Sequence, residues 1–271
     1  MRRSKWLWPA LGWSTLACLL LMLTGFGWAL KDSWMPNGGI ALPEASEPEK
    51  ATGGDWGGKK ELFVTALGDS LTKGTGDATG AGYVDRVIER LAKAMDKPVY
   101  LVNNLAINGL RADQMTDRLA EKGFATAVGK ADIVLLTIGG NDLFQVAQAG
   151  GSLVEGGDLS PQLLLDRLPG LEPRLKAVIR KIRELNPNAR IVYVGLYNAF
   201  YDLPQMRGAN GVVAEWNDYA FELAKTDGNA TVVPTYDMFE FDVKKYLSSD
   251  HFHPNELGYS RIADRVVQAL Q

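Results

Sequence analysis

Glu61-Leu62-Phe63-Val64-Thr65-Ala66-Leu67-Gly68-Asp69-Ser70-Leu71-Thr72-Lys73-Gly74 is the stretch whose reading decides the fold. Its apolar first half, with β-branched and aromatic residues, predicts a buried strand of a parallel sheet. The strand breaks at Gly68-Asp69 and delivers Ser70 at its carboxyl end. In open α/β sheets that edge forms the crevice where ligands bind. Backbone N–H groups beside a serine in such a turn can hold an anion. A plain polar turn uses the same residue types, so this stretch alone leaves both readings open.

Leu135-Leu136-Thr137-Ile138-Gly139-Gly140-Asn141-Asp142 is another apolar strand, ending in Gly-Gly and an amide. Ser249-Asp250-His251-Phe252-His253-Pro254 lies near the C-terminus. With Gly109, these stretches give Ser, Gly, Asn and His in that chain order. They resemble the blocks of the SGNH (GDSL) hydrolase family: Gly-Asp-Ser-Leu, a glycine after the second strand, Gly-x-Asn-Asp and Asp-x-x-His-Pro. Four blocks in order are far more specific than any one of them. The resemblance covers roughly residues 61 to 271. It implies a flavodoxin-like strand order and an esterase, lipase or acylhydrolase activity, with no cofactor.

Alternating apolar strands and amphipathic helices independently predict a doubly wound parallel α/β sheet of about five strands. The strands are expected at Leu62–Leu67, Pro98–Asn103, Ile133–Ile138, Ile191–Gly195 and Thr231–Val233. Helices are expected over Tyr83–Met95, around Val212–Lys225 and from about Asn255 onward. A further helical stretch is expected to break at Pro169-Gly170.

A serine hydroxyl needs a positioned base to act as a nucleophile at neutral pH. The chain has only two histidines, His251 and His253, so any imidazole chemistry passes through one of them. The family pattern selects His253, three residues after Asp250 and followed by Pro254; His251 does not fit. Asp250 would then hold the imidazole in its tautomer, which requires a tight turn that Pro254 favours. Candidate oxyanion donors are the backbone N–H of Ser70, the backbone N–H of Gly109 and the side-chain amide of Asn141. Each has a plainer alternative. Asn108-Gly109 is a common turn pair, Asn141 could cap a helix, and Asp250 could be a solvated loop carboxylate. A metal site at Asp250, His251 and His253 lacks a further histidine to complete it. Glycines 74, 76 and 80 suggest a phosphate loop, yet no glycine precedes Lys73.

The 271 residues suffice for one large domain plus appendages. The formal charge of −3, less the three cations Arg2, Arg3 and Lys5, leaves −6 for the remainder, which argues against nucleic acid as a partner. The single cysteine, Cys18, excludes an intrachain disulfide and a thiolate metal site. After the basic start, Trp6 to Leu30 carries no charge. That exceeds a signal-peptide core and suffices for a bilayer-spanning anchor, with the remainder outside the cytoplasm. Cleavage near Ala29 would instead give a secreted protein. Cys18 is read as lipid-facing rather than lipidated. The expected organisation is a signal anchor over residues 1–30, a flexible linker over 31–60 and an esterase domain over 61–271.

The expected function is a membrane-tethered serine acylhydrolase, with lipid or lysophospholipid esters favoured. The alternatives are an O-deacetylase of cell-surface carbohydrate and a non-catalytic glycan-binding domain of the same fold. Connections at 147–159 and 200–211, with Phe200, Tyr201, Leu203 and Met206 in the second, are expected to frame the substrate.

Overall fold

The computed structural model describes residues 7–34, 56–144 and 161–271. Contacts divide the chain into two units, residues 1–50 and 51–271. The first contributes a single helix, α1 (Leu7–Trp34), whose Leu11–Trp28 segment has a mean hydropathy of 1.5. Large apolar side chains on it, Leu21, Met22 and Phe26 among them, are exposed. Its length and composition are enough to cross a bilayer. Most of the expected linker, and the connection at 147–159, lie outside the described residues.

The second unit is built on five parallel strands: β1 (Leu62–Gly68), β2 (Val99–Asn104), β3 (Ile133–Thr137), β4 (Arg190–Val194) and β5 (Ala230–Val233). Their order is β2-β1-β3-β4-β5, the flavodoxin-like order. All of β3 is buried, and all of β1 except a half-buried Phe63, as their unbroken apolar runs require. On the edge strand β2, Tyr100 is half exposed and stacks on Phe63, its register partner.

The first crossover passes through α3 (Val84–Met95), after the single turn α2 (Ser70–Lys73). Val84, Val87 and Leu91 form the buried face of α3. The next crossovers use α4 (Ala112–Leu119), α5 (Lys122–Lys130), α6 (Gly140–Phe144), α7 (Pro161–Leu185) and α8 (Ala209–Asp227). Then follow α9 (Tyr236–Tyr246) and α10 (Glu256–Ala269), which packs on α3. Right-handed crossovers in this order place α3 on one face of the sheet and α5, α7 and α8 on the other. The direction in which successive strands are added reverses between β1 and β3, and a crevice opens there at the strands' carboxyl ends.

The helix expected to break at Pro169-Gly170 instead runs unbroken through Pro169 and Pro173. Each proline removes one backbone donor, but both lie on the exposed side, where water can serve the freed carbonyls. On the opposite side Leu164, Leu168, Leu171, Leu175, Val178 and Ile182 bury a continuous stripe that holds the helix together.

Candidate active site

β1 ends in a Gly68 whose φ of +154° leaves no room for a side chain. A Cβ there would lie 2.5 Å from the hydroxyl oxygens of both Thr72 and Thr137. Asp69 follows as the cap of α2, accepting from the Leu71 N–H at 3.0 Å and from the Thr137 hydroxyl at 2.8 Å. Burial pushes the Asp69 carboxyl up to about 6, against the lowering effect of those hydrogen bonds. Ser70 is thereby fixed at the first position of α2, on the crevice between β1 and β3.

The turn between α9 and α10 supplies the imidazole. Leu247 and Pro254 form an isolated antiparallel bridge, and the Ser248 N–H donates to the His253 carbonyl at 2.8 Å. Inside this loop Asp250 Oδ1 accepts from the N–H groups of Phe252 and His253, both at 2.9 Å, and from the Ser248 hydroxyl at 2.7 Å. Asp250 Oδ2 lies 2.6 Å from His253 Nδ1, and His253 Nε2 lies 2.7 Å from Ser70 Oγ. Partial burial raises the Asp250 carboxyl. The hydrogen bonds from His253, Ser248 and Phe252 outweigh burial and hold it at about 2. His251 sits at the exposed tip with φ +55°, and its ring enters none of these bonds. Gly76 closes the back of the turn, where a Cβ would meet the Pro254 carbonyl at 2.6 Å and His253 Cβ at 2.8 Å.

Gly109 follows β2 and Asn141 follows β3, both on the side of the strands' carboxyl ends. Gly109 adopts φ +75°, and its N–H donates to nothing among the described residues. The Asn141 side-chain amide donates to the carbonyl of the residue after Gly109, Leu110, at 3.0 Å, and its second N–H has no acceptor among the described residues. Asn141 lies inside the short helix α6 and is buried. The backbone leading to it is set by Gly139, where a Cβ would stand 2.3 Å from the Trp216 ring. Trp216 Nε1 donates to the Tyr193 hydroxyl, and that hydroxyl donates to the Ile138 carbonyl, each at 2.8 Å. A cavity of about 350 Å³ opens beside Gly109, with Gln114, Asp117 and Arg118 on its wall.

Phe252 packs edge-on to the His253 ring at 4.9 Å and stacks on Phe200, which meets Phe144 edge-on. Phe200 and Met206, expected to line the substrate, are buried and hold their loop down; Leu203 stays exposed. The residues the sequence did not single out are Ser248, Tyr193 and Trp216. In the sequence Gly76 counts only among the glycines that suggest a phosphate loop, not as a wall of this turn.

No cluster of three potential metal ligands occurs among the described residues. A hydroxyl on an imidazole whose far nitrogen meets a carboxylate is an arrangement for moving a proton from oxygen to nitrogen. Sequence and structure comparisons identify the family. The profile of the GDSL-like Lipase/Acylhydrolase family matches residues 66–261. The uncharacterized protein YpmR of Bacillus subtilis is 36% identical over 216 residues, covering 79% of this chain and 83% of YpmR. The spore germination lipase LipC of Bacillus licheniformis is 28% identical over 207 residues, covering 76% and 94%. Among solved structures, the lipase Lip_vut3 from a goat rumen metagenome is similar with a TM-score of 0.66 and 27% identity, covering 77% and 97%. The chain therefore belongs to the GDSL-like lipase/acylhydrolase family and is a carboxylic ester hydrolase.

Proposed function

We propose that the protein is a serine esterase that forms a covalent acyl-enzyme on Ser70 and favours acyl esters of lipids or lysophospholipids. The continuous line from Ser70 Oγ through His253 to Asp250, 2.7 Å and 2.6 Å, carries this reading. Ser70 Oγ attacks the ester carbonyl as His253 Nε2 takes its proton, and Asp250 stabilises the imidazolium. The carbonyl oxygen gains charge and is met by the N–H groups of Ser70 and Gly109 and the free N–H of Asn141. The imidazolium then protonates the leaving alcohol. A water, deprotonated by the same imidazole, releases the acid and restores Ser70.

Asn141→Ala is expected to lower kcat by about 10²–10³ and move KM little, because the donor acts mainly on the transition-state charge. A variant that merely lost a helix cap would drop about 1 kcal/mol in stability with kcat unchanged. Steady-state kinetics beside a thermal melt separates the two.

The partly buried ring of Phe252, edge-on to His253 and backed by the buried Phe200, favours an acyl chain on that side. The polar cavity beside Gly109 favours the second reading, an O-deacetylase whose carbohydrate alcohol would occupy it. Hydrolysis of p-nitrophenyl esters across acyl lengths tests this. Rising kcat/KM with chain length supports the lipid reading, and activity confined to acetate supports deacetylation.

We further propose that residues 1–30 anchor a domain spanning residues 61–271 outside the cytoplasm, through a linker over 31–60. The charge-free apolar segment in α1 behind a basic start supports this. The full chain is expected in the membrane fraction, with the domain open to external protease. A chain starting at Lys60 should be soluble and active. A mature N-terminus just after Ala29 would replace the anchor by a cleaved signal.

A further inference from the structure

Asp142 is the neighbour of Asn141 and takes no part in the proton path described above. Its side chain is completely buried, an arrangement proteins rarely tolerate for a carboxylate without a specific partner. Oδ2 accepts from the Ala112 N–H at 2.8 Å. Oδ1 has no hydrogen-bond partner among the described residues and lies 3.5 Å from Arg174 Nη1, on α7. Burial raises the Asp142 carboxyl, opposed by the Ala112 hydrogen bond and the Arg174 charge.

The partner amide explains what this carboxylate is for. Ala112 is the first residue of α4, so its N–H has no acceptor within the helix. The cap position before it holds Arg111, which has donors only, and a cap side chain would in any case reach the second or third amide rather than this first one. Asp142 supplies the missing acceptor from a different part of the chain, and its charge suits the positive end of α4. Consecutive residues therefore grip one loop at two points: Asn141 holds the Leu110 carbonyl and Asp142 holds the Ala112 N–H. Between these grips and β2 stands Gly109, whose backbone at φ +75° has no side chain to fix it.

We propose that Asp142 is a positioning residue that caps α4 from α6 and so locks the Gly109 N–H and the Asn141 amide in one fixed relation. The inference rests on the reading of Gly109 and Asn141 as oxyanion donors. It goes beyond that reading by assigning the geometry of both donors to a carboxylate that touches no substrate. Displacing a catalytic group by an ångström costs about 10²-fold in rate. Loss of the grip therefore acts on kcat.

The test compares Asp142→Ala and Asp142→Asn in the full chain, with Ser70→Ala as control, on p-nitrophenyl butyrate. Asp142→Ala is expected to lower kcat by about 10- to 100-fold with KM within about twofold. Asp142→Asn keeps an acceptor for Ala112 and should return kcat to within about threefold of wild type. A folded Asp142→Ala with wild-type kcat overturns the proposal. So does an Asp142→Asn variant as impaired as an oxyanion mutant, because the cap would then be irrelevant. The near-isosteric asparagine variant decides the matter should the alanine variant fail to fold. Activity surviving in Ser70→Ala would instead overturn the acyl-enzyme reading, whatever the Asp142 variants do.

Discussion

Ser70→Ala is expected to reduce ester hydrolysis by about 10⁶-fold, the order of loss on deleting a serine nucleophile from a hydrogen-bonded triad. Stability should barely change. The hydroxyl's bond is to His253, while the turn is held by Asp69, Thr137 and the close packing at Gly68. Turnover of p-nitrophenyl esters and the melting temperature of the same preparation check both halves. More than a few per cent of residual activity in the folded variant would remove Ser70 from the chemistry.

Asp250→Asn should lower kcat by about 10⁴ with the turn intact. An asparagine oxygen at the Oδ1 position can still accept from Ser248, Phe252 and His253. The amide nitrogen would then face His253 Nδ1 with a donor, favouring the tautomer that protonates Nε2. That nitrogen could no longer accept the proton of Ser70. His253→Ala should be at least as damaging, whereas His251→Ala should be mild, since that ring stands outside the network. If the two histidine variants behave the other way round, His251 is the base. The pH dependence has a definite sign. The folded carboxyl, near 2, lies below its ordinary 3.8. Its contribution to stability is therefore complete above about pH 4 and lost as pH falls toward 2. Melts of wild type and Asp250→Asn between pH 5 and pH 2 should converge across that window.

The strands were legible in the sequence because burial on both faces forces unbroken apolar runs, as in Leu135-Leu136 and Val64 to Leu67. The flavodoxin-like order came from the family resemblance, and the parallel pairing of β1 with both β2 and β3 agrees with it. Residues 70, 109, 141, 250 and 253 stand in short blocks that can be read locally; the structure links 70, 253 and 250 by hydrogen bonds and holds 141 on the residue after 109. Helices α4, α5 and α9 were missed. The first two are short, and α9 contains the non-helical Asp242. Pro169 misled because proline's local cost is visible in sequence, while the compensating stripe of buried leucines is a tertiary gain. The same limit applied to Phe200: an aromatic in a loop has no local sign of whether it faces solvent or Phe252. The grip of Asp142 on Ala112 spans 30 positions, and no local pattern announces it.

The placement of Asp250 and His253 on one turn before the last helix has a consequence for synthesis. The proposed nucleophile follows the first strand of the domain, whereas the proposed proton acceptor stands 183 positions later and is synthesised after it. Ser70 therefore meets His253 only after β2 to β5 and the turn before α10, which starts three residues beyond His253 and packs on α3, have been made. Until then the Ser70 hydroxyl is an alcohol without the imidazole that the proposed mechanism requires. The hydroxyl and the imidazole thus come together only through long-range folding and never within one local segment.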